Sequence, residues 1–177
     1  MRTRVGYASG THRDPTYHDL GDHTETFQVD YDPAKISYEQ LLDLFWESHN
    51  PCARGGSRQY MSAVFTLDDD QRRRALESKA RLEKRLGSAV NTPILPLDRF
   101  YLAEDYHQKY SLRNSPLLRE FEAIYPDPAA FTRSTAAARV NGYLAGDGTA
   151  DQLKAEIDRL GLSAEGRRFL LRSTGGD

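Results

Sequence analysis

The sequence has 177 residues, 38% of them hydrophobic and 28% charged, with a net charge of -2 at pH 7. That is enough chain, with an ordinary globular balance, for one domain with a hydrophobic core, and the charge gives no reason to expect nucleic acid as a partner. No stretch approaches the roughly 20 apolar residues of a membrane span, MRTRVGYASG lacks the apolar core of a secretory signal, and the single cysteine, Cys52, can form neither an intrachain disulfide nor a zinc site alone, which together favour a reducing cytoplasm.

In chain order, Thr3–Ala8 reads as a strand closed by Ser9-Gly10, followed by a polar loop to about Gly21. Glu25–Tyr31 alternates strictly, with Phe27, Val29 and Tyr31 on one face and Thr26, Gln28 and Asp30 on the other, the pattern of a half-buried strand. Ser37 opens a helix with a capping-box spacing to Gln40, and Tyr38, Leu41, Leu42 and Phe45 recur at helical intervals that should face the sheet. Pro51 stops it, residues 52–58 (CARGGSR) form a Gly-rich loop, and Gln59–Leu67 reads as a strand opened by Gln59-Tyr60, with Met61, Ala63, Phe65 and Leu67 on one face. Residues 69–86 form a long charged helix with Ala75, Leu76, Ala80, Leu82 and Leu86 as its apolar contribution; the run Gln71–Arg74 is a solvated face interleaved with Glu77 and Glu83. The extended segment 91–97 holds two prolines and suits a sheet edge. After Tyr110 the chain turns helical, with starts signalled by Ser115-Pro116, Asp127-Pro128, Thr149 with Gln152, and Ser163.

Glu25 is the sharpest local clue to chemistry. It is in phase with Phe27 and Val29, where a carboxyl would lose hydration and hold its proton for donation. At the strand's end it would instead reach water, and periodicity alone favours that simpler reading. Tyr17 and Tyr60 could orient a polar oxygen without carrying charge, though either could equally be one of ten packing tyrosines. Residues 100–110 (FYLAEDYHQKY) concentrate polar aromatic residues: Tyr106 and Tyr110 are spaced for one helical face, and Glu104 with His107 has a metal-compatible spacing but no third ligand, so a polar cluster beside a site, without metal, is expected. His18, Asp19, Asp22 and His23 read as a hydrogen-bonded polar loop. Cys52 has Arg54 and Arg58 nearby to favour its thiolate and a helix C-terminus to oppose it.

Taken together, TRVGYASG (3–10), PTYHDLGDHTE (15–25), YDPAKISYEQLLDLFWESHNP (31–51), RQYMSAVF (58–65) and FYLAEDYHQKY (100–110) resemble, in order and spacing, the A-type peptide methionine sulfoxide reductases. The resemblance implies an α+β two-layer sandwich of ferredoxin-like kind over residues 1–110, with a helical extension over 111–177 packed on it. It implies thiol-dependent reduction of methionine S-sulfoxide, free or in proteins, with no bound cofactor and with thioredoxin or another thiol as reductant. The family's G-H-x-E acid falls on Glu25 and its two oxygen-binding tyrosines on Tyr17 and Tyr60; Glu104, Tyr106 and His107 would flank the site, and Cys52 is a candidate resolving thiol. The family's nucleophilic cysteine lies in a G-C-F-W segment upstream of the part matching TRVGYASG, so the chain as written is expected to be inactive or nearly so. The loop CARGGSRQY also lacks the acid that the family often carries before its Q-Y pair. Two accounts of the start are open: an ordinary enzyme with an unrecorded N-terminal segment, which the retained acid and tyrosines favour, or a non-catalytic binding domain or relic.

Overall fold

The computed structural model describes residues 1–54 and 56–175; Gly55 of the Gly-rich loop and the last two residues of the expected extension lie outside the described residues. The fold is α+β. Five strands, β1 (Arg2–Ala8), β2 (Thr24–Asp30), β3 (Val64–Thr66), β4 (Ile94–Pro96) and β5 (Phe100–Leu102), form a sheet of order β2-β1-β5 and a parallel β3-β4 ladder among the described residues. β1 and β5 pair antiparallel, with Gly6 opposite Leu102 and Ala8 opposite Phe100. A Cβ on Gly6 would lie 2.2 Å from the Tyr101 carbonyl oxygen, so only glycine lets these backbones approach.

Two compact units divide the chain. Gly6–Thr26 with Tyr31–Leu102 makes one, and Met1–Val5 and Phe27–Asp30 with the chain from Ala103 onward make the other.

In the first unit, α1 (Tyr38–Glu47) starts where its capping box predicts: Ser37 Oγ accepts from Gln40 N–H and the Gln40 side chain accepts from Ser37 N–H. α2 (Asp69–Leu86) is capped by Asp68 and closed by Gly87 at φ 62, the left-handed conformation glycine accepts without strain. α1 packs chiefly against α2: Leu42 and Trp46 share a core with Ala75, Leu82 and Val90, against which Val64 and Ile94 of the β3–β4 ladder pack. Ser78 is buried on α2 because its hydroxyl accepts the Trp46 indole N–H at 2.9 Å. Leu76, Ala80 and Leu86, expected to contribute apolar surface to the core, are exposed instead, since the stripe α2 buries is Ala75-Ser78-Leu82. On the polar side Arg73 bridges Asp70 and Glu77, while Arg74 crosses to Glu39 of α1 in a bidentate pair.

Three further expectations are corrected. The expected phase of β2 fails in its first half, where Thr24 is buried, Thr26 partly so, and Glu25 and Phe27 (62% exposed) face outward; further on, Gln28 and Val29 are both partly buried and Asp30 is exposed. The inward polar groups are satisfied locally, Thr24 Oγ1 donating to the Arg58 carbonyl and Thr26 Oγ1 to the Thr24 carbonyl. Residues 58–60 are not strand but a 3₁₀ turn capped by Ser57, and the strand proper is only Val64–Thr66, with Val64 in the core and Thr66 buried rather than the Met61-Ala63-Phe65 face. Tyr106 and Tyr110 share no helix, because a 3₁₀ turn (Asp105–His107) and Lys109 at φ 58 separate them.

In the second unit the chain forms α3 (Tyr110–Arg113), α4 (Leu118–Ile124), α5 (Pro128–Arg133), α6 (Thr135–Leu144), α7 (Ala150–Glu156) and α8 (Ala164–Ser173). Asp127, Thr149 and Ser163 cap α5, α7 and α8 as their spacings predict. Ser115 does not cap a helix; it closes the turn after α3, and α4 begins three residues later without a side-chain cap. Leu112, Phe121, Phe131, Val140, Leu153 and Leu170 build one apolar core here. Gln108 is buried beside β1: its amide oxygen accepts from Val5 N–H at 3.1 Å and its amide nitrogen donates to Val5 O at 2.8 Å and to Ala103 O. The Lys109 ammonium donates to Thr3 O, and burial, with Arg4 and Arg113 near, brings its pKa down to about 8.

Leu42 is 3% exposed at the centre of the α1–α2 core, so Leu42→Ala should lower stability by about 2–5 kcal/mol. Leu44→Ala, on the exposed face of the same helix, should change it by less than about 0.5 kcal/mol. Urea denaturation of the two variants checks both; equal midpoints would place the helix the wrong way round.

Candidate functional site

The site is assembled by the loop between β1 and β2, and its backbone is held by two side chains from the end of that loop. Asp22 accepts from the N–H groups of Thr11 (2.6 Å) and His12 (3.2 Å) and from the Thr11 hydroxyl. Those backbone donors, Thr11 first, hold its carboxyl down at about 2 against an ordinary 3.8, outweighing a small desolvation effect. His23 is 1% exposed and uses both ring nitrogens: Nδ1 accepts from Gly10 N–H at 3.1 Å, which leaves Nε2 as the donor to His12 O at 2.8 Å. Its ring meets Tyr101 of β5 edge-on at 5.4 Å. A Cβ on Gly10 would fall 2.5 Å from the His23 ring and 2.7 Å from Asp22 Oδ1, so this position admits glycine alone. The polar-loop reading of His18, Asp19, Asp22 and His23 thus holds for the last two, and Asp19 pairs with His12 at 3.3 Å.

The same loop is tied to the 3₁₀ turn of residues 58–60. Arg58 donates from Nε to Asp22 O and from Nη2 to Ser9 O (2.6 Å), and its own carbonyl accepts from the Thr24 hydroxyl at 2.9 Å. With Thr24 turned inward, the alternation of β2 turns Glu25 outward, toward that turn. Gln59 Nε2 donates to Glu25 Oε1 at 2.8 Å and lies 3.0 Å from the Tyr60 hydroxyl. Glu25 and Tyr60, 35 positions apart in the sequence (60 less 25), therefore meet through one amide group.

Tyr17 sits in a tight loop in the same unit. Thr16 and Asp19 exchange backbone hydrogen bonds at 3.1 Å each, and the Tyr17 ring packs edge-on to His18 while remaining 41% exposed. Cys52 is half-buried and its segment is anchored. Its N–H donates to Asn50 Oδ1, its carbonyl accepts from Asn91 Nδ2 at 2.7 Å, and Pro51 O accepts from Asn91 N–H at 2.8 Å. Glu104, Tyr106 and His107 lie on and before the 3₁₀ turn Asp105–His107 in the other unit, with the Tyr106 and His107 rings 4.3 Å apart. Among the described residues no group of three His, Cys, Asp or Glu side chains could hold a metal ion.

Sequence reasoning missed Gln59, Arg58 and Thr24 as parts of this arrangement. Read as a strand, residues 59 and 60 point to opposite faces; the tighter 3₁₀ turn lets both reach Glu25's side. The signal that could have found it is Ser57, whose hydroxyl accepts from Gln59 N–H and starts the turn.

Comparison with known proteins converges on one family. The sequence model described as peptide methionine sulfoxide reductase matches residues 1–139. A peptide methionine sulfoxide reductase from Drosophila melanogaster is 40% identical over 171 residues, covering 96% of this chain and 69% of the fly protein. Peptide methionine sulfoxide reductase A5 from Oryza sativa subsp. japonica is 38% identical, covering 90% of this chain and 66% of the rice protein. Mxr1 from Saccharomyces cerevisiae in its reduced form superposes with a TM-score of 0.59 at 29% identity, over 64% of this chain and 71% of that one. The chain therefore spans about two thirds of the length of the relatives it matches.

The Asp22 carboxyl carries the pH prediction for this loop. Its pKa is lower in the folded protein, about 2 against 3.8, so its stabilising contribution is present above about pH 4 and is lost as pH falls toward 2. Asp22→Asn should flatten the dependence of the urea midpoint on pH between about 4 and 2 relative to the unaltered protein. Parallel curves for the two proteins would show that Asp22 is not the group responsible.

Proposed function

Because this chain belongs to the peptide methionine sulfoxide reductase family, we propose that the whole protein reduces methionine S-sulfoxide to methionine, and that these residues supply the half of the site that binds and protonates the sulfoxide oxygen. The observation that carries the reading is the juxtaposition of an outward-facing carboxyl, Glu25, with a phenolic hydroxyl, Tyr60 (66% exposed), across the Gln59 amide. A sulfoxide oxygen carries partial negative charge and accepts hydrogen bonds. It gains more negative charge as a thiolate sulfur attacks the sulfoxide sulfur, so donors aimed at it act most strongly in the transition state.

In the proposed step the thiol sulfur bonds to the sulfoxide sulfur and Glu25 protonates the oxygen. The oxygen passes to the thiol as a sulfenic acid, and methionine leaves, reduced by two electrons. Thioredoxin or another external thiol then reduces the sulfenic acid, forming a disulfide and releasing water. Tyr17 is proposed as the second hydroxyl on the oxygen, supported by its exposure in the anchored Thr16–Asp19 loop. Cys52 is proposed as a resolving thiol, supported by its partial exposure; the hydrogen bonds to Asn91 mean that its partner must come to it. Glu104, Tyr106 and His107 are proposed as flanking residues. The chemistry requires no bound cofactor, and the single cysteine suits a reducing cytoplasm. Among the described residues no helix is long and apolar enough to cross a membrane.

In the full-length protein, Glu25→Gln should slow single-turnover reduction of an N-acetyl-methionine S-sulfoxide by roughly 10²–10⁴-fold while leaving the fold intact. Tyr17→Phe with Tyr60→Phe should slow it more than either change alone. A Glu25→Gln protein reducing the S epimer at the unaltered rate would remove Glu25 from the chemistry, and equal turnover of both epimers would overturn the assigned specificity.

A further inference from the structure

We propose that Gln59 is a positioning residue of the sulfoxide-oxygen site, its single amide nitrogen setting which oxygen of Glu25 delivers the proton and which way the Tyr60 hydroxyl points. The inference deepens the reading of the preceding subsection and rests on it. A primary amide carries two N–H hydrogens, and Gln59 Nε2 lies within hydrogen-bond reach of two acceptors, Glu25 Oε1 at 2.8 Å and the Tyr60 hydroxyl oxygen at 3.0 Å. One hydrogen goes to each.

Two consequences follow from that division. The Tyr60 oxygen, having accepted from Gln59, must direct its own hydrogen elsewhere, and that hydrogen becomes the donor offered to an incoming oxygen. Glu25 Oε1, occupied by an N–H, is a poor place for a proton, because an O–H there would face the amide hydrogen. The transferable proton is thereby assigned to Oε2. The amide thus converts two groups that could hydrogen-bond to each other, a carboxylate and a phenol, into two O–H donors that share one acceptor. Without it, the Tyr60 O–H and the Glu25 carboxylate would each lose the partner that orients them.

The placement is built into the fold. Ser57 caps the turn through Gln59 N–H, Tyr60 N–H donates to Ser57 O, and Arg58 fixes the turn to the loop carrying Asp22, so residue 59 cannot drift along β2. The CARGGSRQY loop contains no acid, so a neutral amide does the orienting and adds no charge beside Glu25.

The test is kinetic, on the full-length protein. Gln59→Met keeps the side-chain length and removes both donors, and Gln59→Leu removes them with a shorter, branched side chain, neither adding charge beside Glu25. Each should lower kcat and kcat/KM for the S-sulfoxide together by about tenfold, the value of one or two ordinary hydrogen bonds, with KM and the thermal midpoint nearly unchanged. Combined with Tyr60→Phe, which has no hydroxyl to orient, Gln59→Met should cost less than it does alone, so that the losses do not multiply. Unaltered kcat in both variants, or losses that multiply in full, would overturn the positioning role. Should Glu25→Gln also leave turnover unchanged, the failure lies with the functional reading; should Glu25→Gln be slow and Gln59→Met normal, it lies with this inference alone.

Discussion

The Arg58 guanidinium is the contact on which the site's geometry depends. It reaches two backbone carbonyls, Ser9 O where β1 ends and Asp22 O just before β2 begins, while the Thr24 hydroxyl returns a hydrogen bond to Arg58's own carbonyl. Two charge-assisted bonds and one neutral bond therefore fix the 3₁₀ turn against both ends of the β1–β2 loop. The loop is already rigid, because Asp22 and His23 satisfy the N–H groups of Gly10, Thr11 and His12. Neither Gln59 nor Tyr60 needs to be placed by its own packing; the residue before them does it.

The segment Gly21–Glu25 shows how position decides the fate of a side chain. Asp22 and Glu25 are three residues apart and both are carboxylic acids. Asp22 curls back on the loop and is saturated by two backbone N–H groups and a hydroxyl, which commits it to structure. Glu25 projects from β2 and takes one amide donor, leaving an oxygen for other work. Between them His23 and Thr24 are buried and fully used by backbone partners. Asp22 lies in the loop before β2 and Glu25 on the strand itself, and that difference of place separates the saturated acid from the one with a free oxygen.

What the sequence disclosed follows the range of the interactions involved. The capping boxes at Ser37 and Thr149 and the Asp127-Pro128 start are decided within a few residues, and each lies where its spacing predicts. The phase of β2 was not legible, because it is set by a hydroxyl bond from Thr24 to a residue 34 positions away, and hydrophobicity alone puts Phe27 on the wrong side. The turn at Arg58–Tyr60 was hidden for a different reason: its aromatic and β-branched neighbours resemble a strand, although Ser57 starts a 3₁₀ turn. Glu25 was picked out by its phase with Phe27, a phase the structure turns outward, and Glu25, Tyr17 and Tyr60 took their expected roles from family resemblance, whereas Gln59, which joins two of them, went unremarked.

The buried amide of Gln108 has a consequence for how the chain behaves among its own copies. β5 pairs with β1 from Gly6 to Ala8, and just past it Ala103 N–H donates to Val5 O, so Val5 stands where that pairing ends. Open strand termini of this kind recruit other strands and seed aggregation. Gln108 supplies a side chain in the form of a peptide group, accepting from Val5 N–H and donating to Val5 O, so the ladder gains one further rung with no further strand. Substituting an apolar residue there would take the acceptor from Val5 N–H while Val5 O kept its bond from Ala103 N–H, and the first symptom of that half-paired strand end would be loss of colloidal solubility in the partly opened chain.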